Sequence, residues 1–175
     1  MIHIYTGEGK GKTTAAYGLC LRARGWNKKA CVIQFLKSGD FTYGETVSAK
    51  KAGIKIVCLN QKHPLFCSYL KAPQYSLKLK KDISASLSSV RDIVSSGKFD
   101  LIVLDEIINA LDQKYLTESQ VLSLLGGVPG RTELVLTGRG KISRRLSGRA
   151  DYITHMREVK HPFKKKMLGR RGIEF

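Results

Sequence analysis

Thr6-Gly7-Glu8-Gly9-Lys10-Gly11-Lys12-Thr13-Thr14 is the stretch that decides the fold of this 175-residue chain. It lies between a short apolar run, residues 2–5, and an amphipathic run, residues 15–24. A strand that ends in alternating glycines and opens a helix at Gly-Lys-Thr is the layout of a phosphate-binding P-loop. The glycines let backbone N–H groups point at an anion, while Lys12 adds a cation and Thr13 a hydroxyl suited to Mg²⁺. The pattern predicts that residues 7–14 bind the phosphates of a nucleotide.

The spacing of the glycines departs from the usual Gly-x-x-x-x-Gly-Lys-Thr pattern. Thr6 occupies the position of the first glycine, so the gap from Gly7 to Gly11 is one residue short. We therefore expect the phosphates to lie differently from those in an ordinary P-loop protein. A glycine-rich turn without a ligand is the alternative, and it is disfavoured because the strand, the loop, the Lys-Thr pair and the helix all agree.

The amino-acid composition limits the classes of protein to which the chain can belong. Lys and Arg number 31 against 14 Asp and Glu, which gives a net charge of +17 and attracts anions such as nucleic acid, nucleotides, anionic cofactors or acidic proteins. The longest apolar run is far too short to cross a bilayer, and the chain begins directly with its first strand, so we expect a cytoplasmic protein without membrane contact. Cysteines 20, 31, 58 and 67 form no C-x-x-C pair, which argues against structural zinc.

Strand and helix patterns alternate along the chain. Hydrophobic runs predict strands over residues 2–5, 29–36, 54–59, 99–106, 133–138 and 150–156, and helical periodicity predicts helices over residues 13–24, 45–52, 77–96 and 117–125. Such alternation predicts one α/β domain over residues 1–175, with a mostly parallel sheet and helices on both faces. Together with the glycine loop, this architecture indicates the P-loop NTPase-like (RecA-like) fold. A long loop over residues 60–75 contains two prolines and suggests a functional segment.

The fourth predicted strand ends in two carboxylates, Asp105 and Glu106. Because ligands bind at the carboxyl ends of parallel strands, this pair and the glycine loop are expected to converge. An aliphatic strand that ends in Asp downstream of a P-loop is typical of a magnesium site completed by the loop's Thr. Asp105 is expected to hold the ion directly or through water, and Glu106 to be a ligand or to position a reactant. Two surface acids that cap a strand are the alternative.

Arg139 follows the fifth predicted strand, in Thr137-Gly138-Arg139-Gly140. This position places the guanidinium at the same edge of the sheet, where it can reach a phosphate or a developing charge. An ordinary surface arginine is the alternative. The four histidines are not spaced like ligands, which points to chemistry driven by positioning and charge neutralisation.

With these features in place, the chain resembles the P-loop family of ATP:cob(I)alamin (corrinoid) adenosyltransferases over nearly its full length. The resemblance combines the glycine loop with Val32-Ile33-Gln34-Phe35-Leu36-Lys37, Leu104-Asp105-Glu106, Leu136-Thr137-Gly138-Arg139-Gly140, Val159-Lys160-His161-Pro162-Phe163 and Gly172-Ile173-Glu174-Phe175. Any one of these segments alone would be weak. Together and in this order they are specific.

The resemblance implies a reaction in which Co(I) of a reduced corrinoid attacks the 5′ carbon of ATP and expels triphosphate. It implies catalytic roles for Lys12, Glu106 and Arg139, nucleotide binding by residues 7–14, and Mg²⁺ binding by Thr13 and Glu106, to which the strand pattern above adds Asp105. It also implies a homodimer and an electron-donating flavoprotein as a partner. Better-known members carry a Phe-x-Trp pair in the loop after the third strand, and here Phe66 and Tyr69 are the residues expected to take its place beside the corrinoid.

Two other functions remain open at this stage. A nucleic-acid-dependent P-loop ATPase is favoured by the +17 charge but disfavoured by the lack of an aromatic platform for stacked bases. A basic binding module with a vestigial ATP site is disfavoured by the intact Lys12, Thr13 and Asp105. The products separate the first two functions, since only the transferase forms triphosphate and only the ATPase forms ADP and phosphate.

Overall fold

One parallel sheet dominates the computed structural model, which describes residues 1–61, 73–162 and 169–173. The strands are β1 (Ile2–Thr6), β2 (Ala30–Gln34), β3 (Lys55–Cys58), β4 (Leu101–Asp105), β5 (Glu133–Thr137) and β6 (Tyr152–His155). The helices are α1 (Lys12–Gly25), α2 (Gly44–Lys51), α3 (Pro73–Ser95), α4 (Ile107–Asp112), α5 (Glu118–Gly126) and α6 (Arg144–Ser147). The α/β class predicted from the sequence is confirmed.

The six strands lie in the order β3-β2-β4-β5-β1-β6, and every neighbouring pair is parallel. All strands therefore end at the same edge of the sheet, where β1 leads into the glycine loop and β4 ends at Asp105. Strand β5 lies between these two, so its last residue, Thr137, separates the glycine loop from the acidic pair. The predicted convergence thus takes place across one intervening strand.

Successive side chains along each strand point to opposite faces of the sheet, and a different layer of helices covers each face. Val32, Val103 and Val135 pack on one face, against Ala16 and Cys20 of α1. The opposite face is covered by α3, α4 and α5, with a larger cluster that includes Ile33, Ile102, Leu134, Ile83, Val90, Ile108, Val121 and Leu124. Strands buried on both faces have continuous hydrophobic sequences, which is why the central strands were recognisable. Helices on both faces are confirmed.

The predicted start of α3 is wrong by several residues. The helix begins at Pro73 and not at residue 77, so the last part of the predicted loop over residues 60–75 is helical. Proline is well suited to the first turn of a helix, because its missing N–H has no intrahelical partner there. The predicted capping box at the start of α5 is confirmed, since Thr117 and Gln120 exchange side-chain and backbone hydrogen bonds.

The short helices α4 and α6 were not predicted, because each is too short to show a helical period. Phe66 and Tyr69, the residues expected beside the corrinoid, lie outside the described residues. Across the three described ranges, no helix combines the length and the apolar character needed to span a membrane.

Candidate active site

The glycine-rich loop after β1, residues 7–11, is packed tightly against the end of β6. Gly7 and Gly11 have positive φ angles of 104° and 109°, a conformation that favours glycine. The Gly9 N–H donates a hydrogen bond of 2.7 Å to the carbonyl oxygen of Met156. A Cβ atom at Gly9 would lie 2.7 Å from that oxygen, and one at Gly7 would overlap it more severely. Glycine is therefore required both by the backbone conformation and by the space available.

Replacing Gly7 by alanine is expected to destabilise the protein by about 2 kcal/mol or more, because the new methyl group meets the Met156 carbonyl at an unfavourable φ. The matched control is Gly18→Ala in α1, where a Cβ atom meets nothing within 4 Å and a gain of roughly 0.5–1 kcal/mol is expected. Urea unfolding of both variants measures the difference. Equal stability of the two variants would contradict the packing described for the loop.

The Lys12 side chain folds back over the loop. Its Nζ donates hydrogen bonds of 2.6 Å to the Gly7 carbonyl and 2.7 Å to the Gly9 carbonyl, and only 8% of the residue is exposed. Burial lowers the pKa of Lys12, and the positive charge of Arg139 lowers it further, while Glu106 acts in the opposite direction. The ammonium group thus lies within the loop that is predicted to hold phosphate.

Asp105 lies on the same face of the sheet as α1, because it continues the alternation of Leu101 and Val103 along β4. Its carboxylate is fully buried. Oδ1 accepts hydrogen bonds from Thr13 Oγ1 at 3.0 Å and from Thr137 Oγ1 at 2.7 Å. The glycine loop's threonine and the acidic strand therefore meet directly, across the end of β5.

The other oxygen of Asp105 is paired with a lysine to which the sequence analysis gave no role. Lys37 Nζ lies 2.9 Å from Asp105 Oδ2 and 3.4 Å from Glu45 Oε1. Burial alone would lower the pKa of Lys37, but the Asp105 carboxylate outweighs this and raises it above its usual range. One signal in the sequence could have revealed the role of Lys37. The residue lies just beyond a buried strand, at the edge of the sheet where the site was predicted.

Glu106 occupies the turn between β4 and α4 in a left-handed conformation, with φ of 64°. Its backbone N–H donates to Thr137 Oγ1 at 3.0 Å, which fixes the turn against β5. The residue is partly exposed, yet its Oε2 atom is buried and has no hydrogen-bond partner among the described residues. Burial raises the pKa of Glu106 to about 7, and the neighbouring Asp105 charge adds to the effect.

A raised carboxyl pKa makes the metal-free protein less stable as the pH rises. Folded Glu106 retains its proton to about pH 7, whereas the unfolded side chain loses it near pH 4.5. The contribution of this proton to folding stability is therefore complete below pH 4.5 and is lost as the pH rises to 7. In the presence of EDTA, Glu106→Gln is therefore expected to exceed the parent in stability by on the order of 1–2 kcal/mol at pH 8 and by much less at pH 5. Urea unfolding at both pH values tests this, and a pH-independent difference would contradict it.

Arg139 lies beside the glycine loop, as its place after β5 predicts. Its guanidinium donates to Glu8 Oε2 at 3.2 Å, and the two side chains are 57% and 68% exposed. The Arg139 backbone N–H donates to Asn109 Oδ1 in α4, a residue that the sequence did not single out. A Cβ atom at Gly138 would lie 2.7 Å from the Asn109 nitrogen, so the segment approaches α4 closely.

The remaining predicted residues are less closely involved. Lys10 Nζ donates a hydrogen bond to the Ile173 carbonyl at 3.2 Å. Thr14 is exposed in the first turn of α1. The structure thus brings together Lys12, Thr13, Asp105, Glu106 and Arg139, with Glu8 at the rim.

Comparison with known proteins decides the family. The model of the family described as ATP:corrinoid adenosyltransferase BtuR/CobO/CobP matches residues 1–175. The chain belongs to this family. Its members are enzymes, and the match favours a corrinoid adenosyltransferase over a nucleic-acid-dependent ATPase.

Curated members of the adenosyltransferase family align with the whole chain. The corrinoid adenosyltransferase CobA of Salmonella typhimurium is 30% identical over 179 residues, covering 100% of this chain and 85% of that protein. The corrinoid adenosyltransferase of Escherichia coli strain K12 is 28% identical with the same coverage. The corrinoid adenosyltransferase of Pseudomonas aeruginosa is 29% identical, and the alignment covers 98% of this chain and 82% of that protein.

Proposed function

We propose that this protein transfers the 5′-deoxyadenosyl group of ATP to Co(I) of a reduced corrinoid and releases triphosphate. The observation that supports the proposal best is the meeting of Lys12 with Thr13, Asp105 and Glu106 at the carboxyl edge of the sheet. These residues come from two distant segments of a chain that belongs to the adenosyltransferase family. A basic loop beside buried carboxylates is suited to a polyphosphate and a divalent cation.

The reaction needs no proton transfer from the protein. The electron pair of Co(I) forms the bond to C5′, the bond from C5′ to the triphosphate oxygen breaks, and that electron pair leaves with triphosphate. The corrinoid supplies the nucleophile, so the protein's task is to orient ATP and to stabilise the charge of the leaving group. We expect Lys12, Arg139 and the N–H groups of the glycine loop other than that of Gly9, which is bonded to Met156, to do this.

The residues present fit a magnesium ion. Mg²⁺ prefers oxygen ligands and is usually held by one or two carboxylates together with water and phosphate. Glu106 offers a buried oxygen that has no hydrogen-bond partner in the described part of the chain, and Thr13 offers a hydroxyl oxygen whose proton is already donated to Asp105. Outside the undescribed segments, no group of three or more His, Cys, Asp or Glu residues is arranged to hold a metal ion. Bound there, Mg²⁺ would neutralise part of the triphosphate charge.

The proposal has several further parts. The family resemblance leads us to propose a homodimer and an electron-donating flavoprotein that supplies Co(I), and the sequence itself leads us to propose a single domain over residues 1–175 and a cytoplasmic location. Phe66 and Tyr69 are proposed to contact the corrinoid in place of the Phe-x-Trp pair. The net charge of +17 favours the approach of an anionic nucleotide such as ATP.

Anaerobic incubation with ATP, Mg²⁺ and chemically reduced cobalamin tests the proposed function. We expect the corrin spectrum to show a new cobalt–carbon bond, which disappears on exposure to light. Samples without ATP or without protein are the controls. ATP hydrolysis stimulated by DNA or RNA, with no change in the corrin spectrum, would support the ATPase and overturn the proposal.

A further inference from the structure

Lys37 is more confined than a surface lysine. It lies just beyond β2, which is the neighbour of β4 in the sheet, and only 11% of its side chain is exposed. The ammonium group contacts Asp105 at 2.9 Å and Glu45 at 3.4 Å, and it lies 4.7 Å from the centroid of the Tyr43 ring. Two carboxylates and an aromatic face therefore hold one charged group in place.

The backbone before Lys37 adopts an unfavourable conformation. Leu36 has a φ of 53°, in the left-handed region that residues with a Cβ atom seldom occupy. Hydrogen bonds on both sides support it, since the Phe35 N–H donates to the Asp105 carbonyl at 2.9 Å and the Leu36 N–H donates to Gln61 Oε1 at 3.3 Å. Strain of this kind persists where the surrounding structure enforces it, and it is common at functional sites. Here it accompanies the turn that brings residue 37 to Asp105.

The two carboxylates of the site, Asp105 and Glu106, differ in the contacts that their oxygens make. Asp105 Oδ1 accepts hydrogen bonds from the hydroxyls of Thr13 and Thr137, whereas Oδ2 forms an ion pair with Lys37 at 2.9 Å but accepts no hydrogen bond from the described residues. Glu106 Oε2 is buried beside them and has no partner within the described part of the chain. A cation at Asp105 Oδ2 would be repelled by the Lys37 ammonium group, and one at Oδ1 would compete with two hydroxyl donors, whereas Glu106 Oε2 has no such neighbour bonded to it among the described residues.

We propose that Lys37 is a positioning residue, which holds Asp105 turned toward Thr13 so that Glu106 is the carboxylate that binds the divalent cation. This inference rests on the metal site of the proposed function. The hydroxyl of Thr13 has a single hydrogen, and donating it to Asp105 leaves the oxygen lone pairs for the cation. Lys37 thus acts on the cation through Asp105 and Thr13 and does not contact ATP.

The test is a double-mutant cycle on binding, without corrinoid and therefore without turnover. The Mg²⁺ concentration that half-saturates ATP binding is measured by calorimetry for the parent, Lys37→Met, Asp105→Asn and the double variant. We expect Lys37→Met to raise this concentration at least about fivefold in the parent and by less than about twofold in the Asp105→Asn background. The matched control is Lys50→Met, an exposed lysine of α2, which is expected to leave the value unchanged.

Each outcome decides between positioning and a merely structural role. Equal effects of Lys37→Met in both backgrounds, or no effect in the parent, would overturn the inference while leaving the proposed function intact. If ATP binding by the parent itself does not depend on Mg²⁺, the proposed metal site falls, and the inference falls with it. Should Lys37→Met fail to fold, Lys37→Arg takes its place in the cycle, because it keeps the positive charge but changes the geometry at Asp105.

Discussion

Lys12→Ala is expected to lower the rate of adenosyl transfer at least about 100-fold, which is the usual cost of removing one preorganised donor from a developing negative charge. The Lys12 ammonium lies between the Gly7 and Gly9 carbonyls, 2.6 and 2.7 Å away, inside the loop that is proposed to hold the triphosphate. Because the leaving group carries the charge that develops, the loss should fall mainly on kcat. Formation of the cobalt–carbon bond, followed spectroscopically at saturating ATP and corrinoid, measures it.

The control for Lys12→Ala is the same change at Lys28, an exposed lysine just before β2 at the opposite edge of the sheet. Lys28→Ala should retain the parent's rate within about twofold. Circular dichroism and thermal unfolding show whether each variant is folded, and Lys12→Gln separates the lost charge from the lost hydrogen bonds to the loop. A folded Lys12→Ala variant with the parent's rate would contradict the role given to the glycine loop.

Glu106→Gln is expected to raise the Mg²⁺ concentration needed for half-maximal activity about 10- to 100-fold, the range typical of weakened metal-site residues. The substitution keeps the size of the side chain but removes the charge of a carboxylate whose buried Oε2 atom has no hydrogen-bond partner among the described residues. Excess Mg²⁺ should restore part of the activity, because the change weakens binding of the ion and leaves Lys12 in place. Titration of activity with Mg²⁺ at fixed ATP measures both effects.

Glu133→Gln is the matched control for this experiment. Glu133 begins β5 at the opposite edge of the sheet, where it pairs with His3 at 2.8 Å, so its charge has no access to the site. Its half-maximal Mg²⁺ concentration should equal that of the parent. If Glu106→Gln shows an unchanged Mg²⁺ requirement, Glu106 is not a metal ligand.

The sequence was informative wherever a local pattern determines the structure. The central strands were recognisable because burial on both faces requires continuous apolar residues, and the glycine loop because its backbone excludes side chains at Gly7 and Gly9. The convergence of Thr13 and Asp105 also follows from simple rules. Parallel strands end at one edge, and alternation along β4 places Asp105 on the face covered by α1.

Long-range contacts between side chains could not be predicted in this way. The pairing of Lys37 with Asp105 depends on β2 lying next to β4, and strand order does not follow from the apolar pattern of either strand. The contact of Asn109 was equally unpredictable, because its side chain accepts a hydrogen bond from the Arg139 N–H in the loop after β5. The start of α3 at Pro73 was missed because proline is a helix breaker in most positions and a good helix start only in the first turn.

The central claim is that the glycine loop holds ATP so that C5′ is attacked and the three phosphates leave as one unit. Phosphorus NMR of the products of an anaerobic reaction with ATP, Mg²⁺ and reduced cobalamin tests it directly. The account predicts one triphosphate for each adenosylated corrinoid and none when the corrinoid is left out. Formation of ADP and phosphate in place of triphosphate would contradict it.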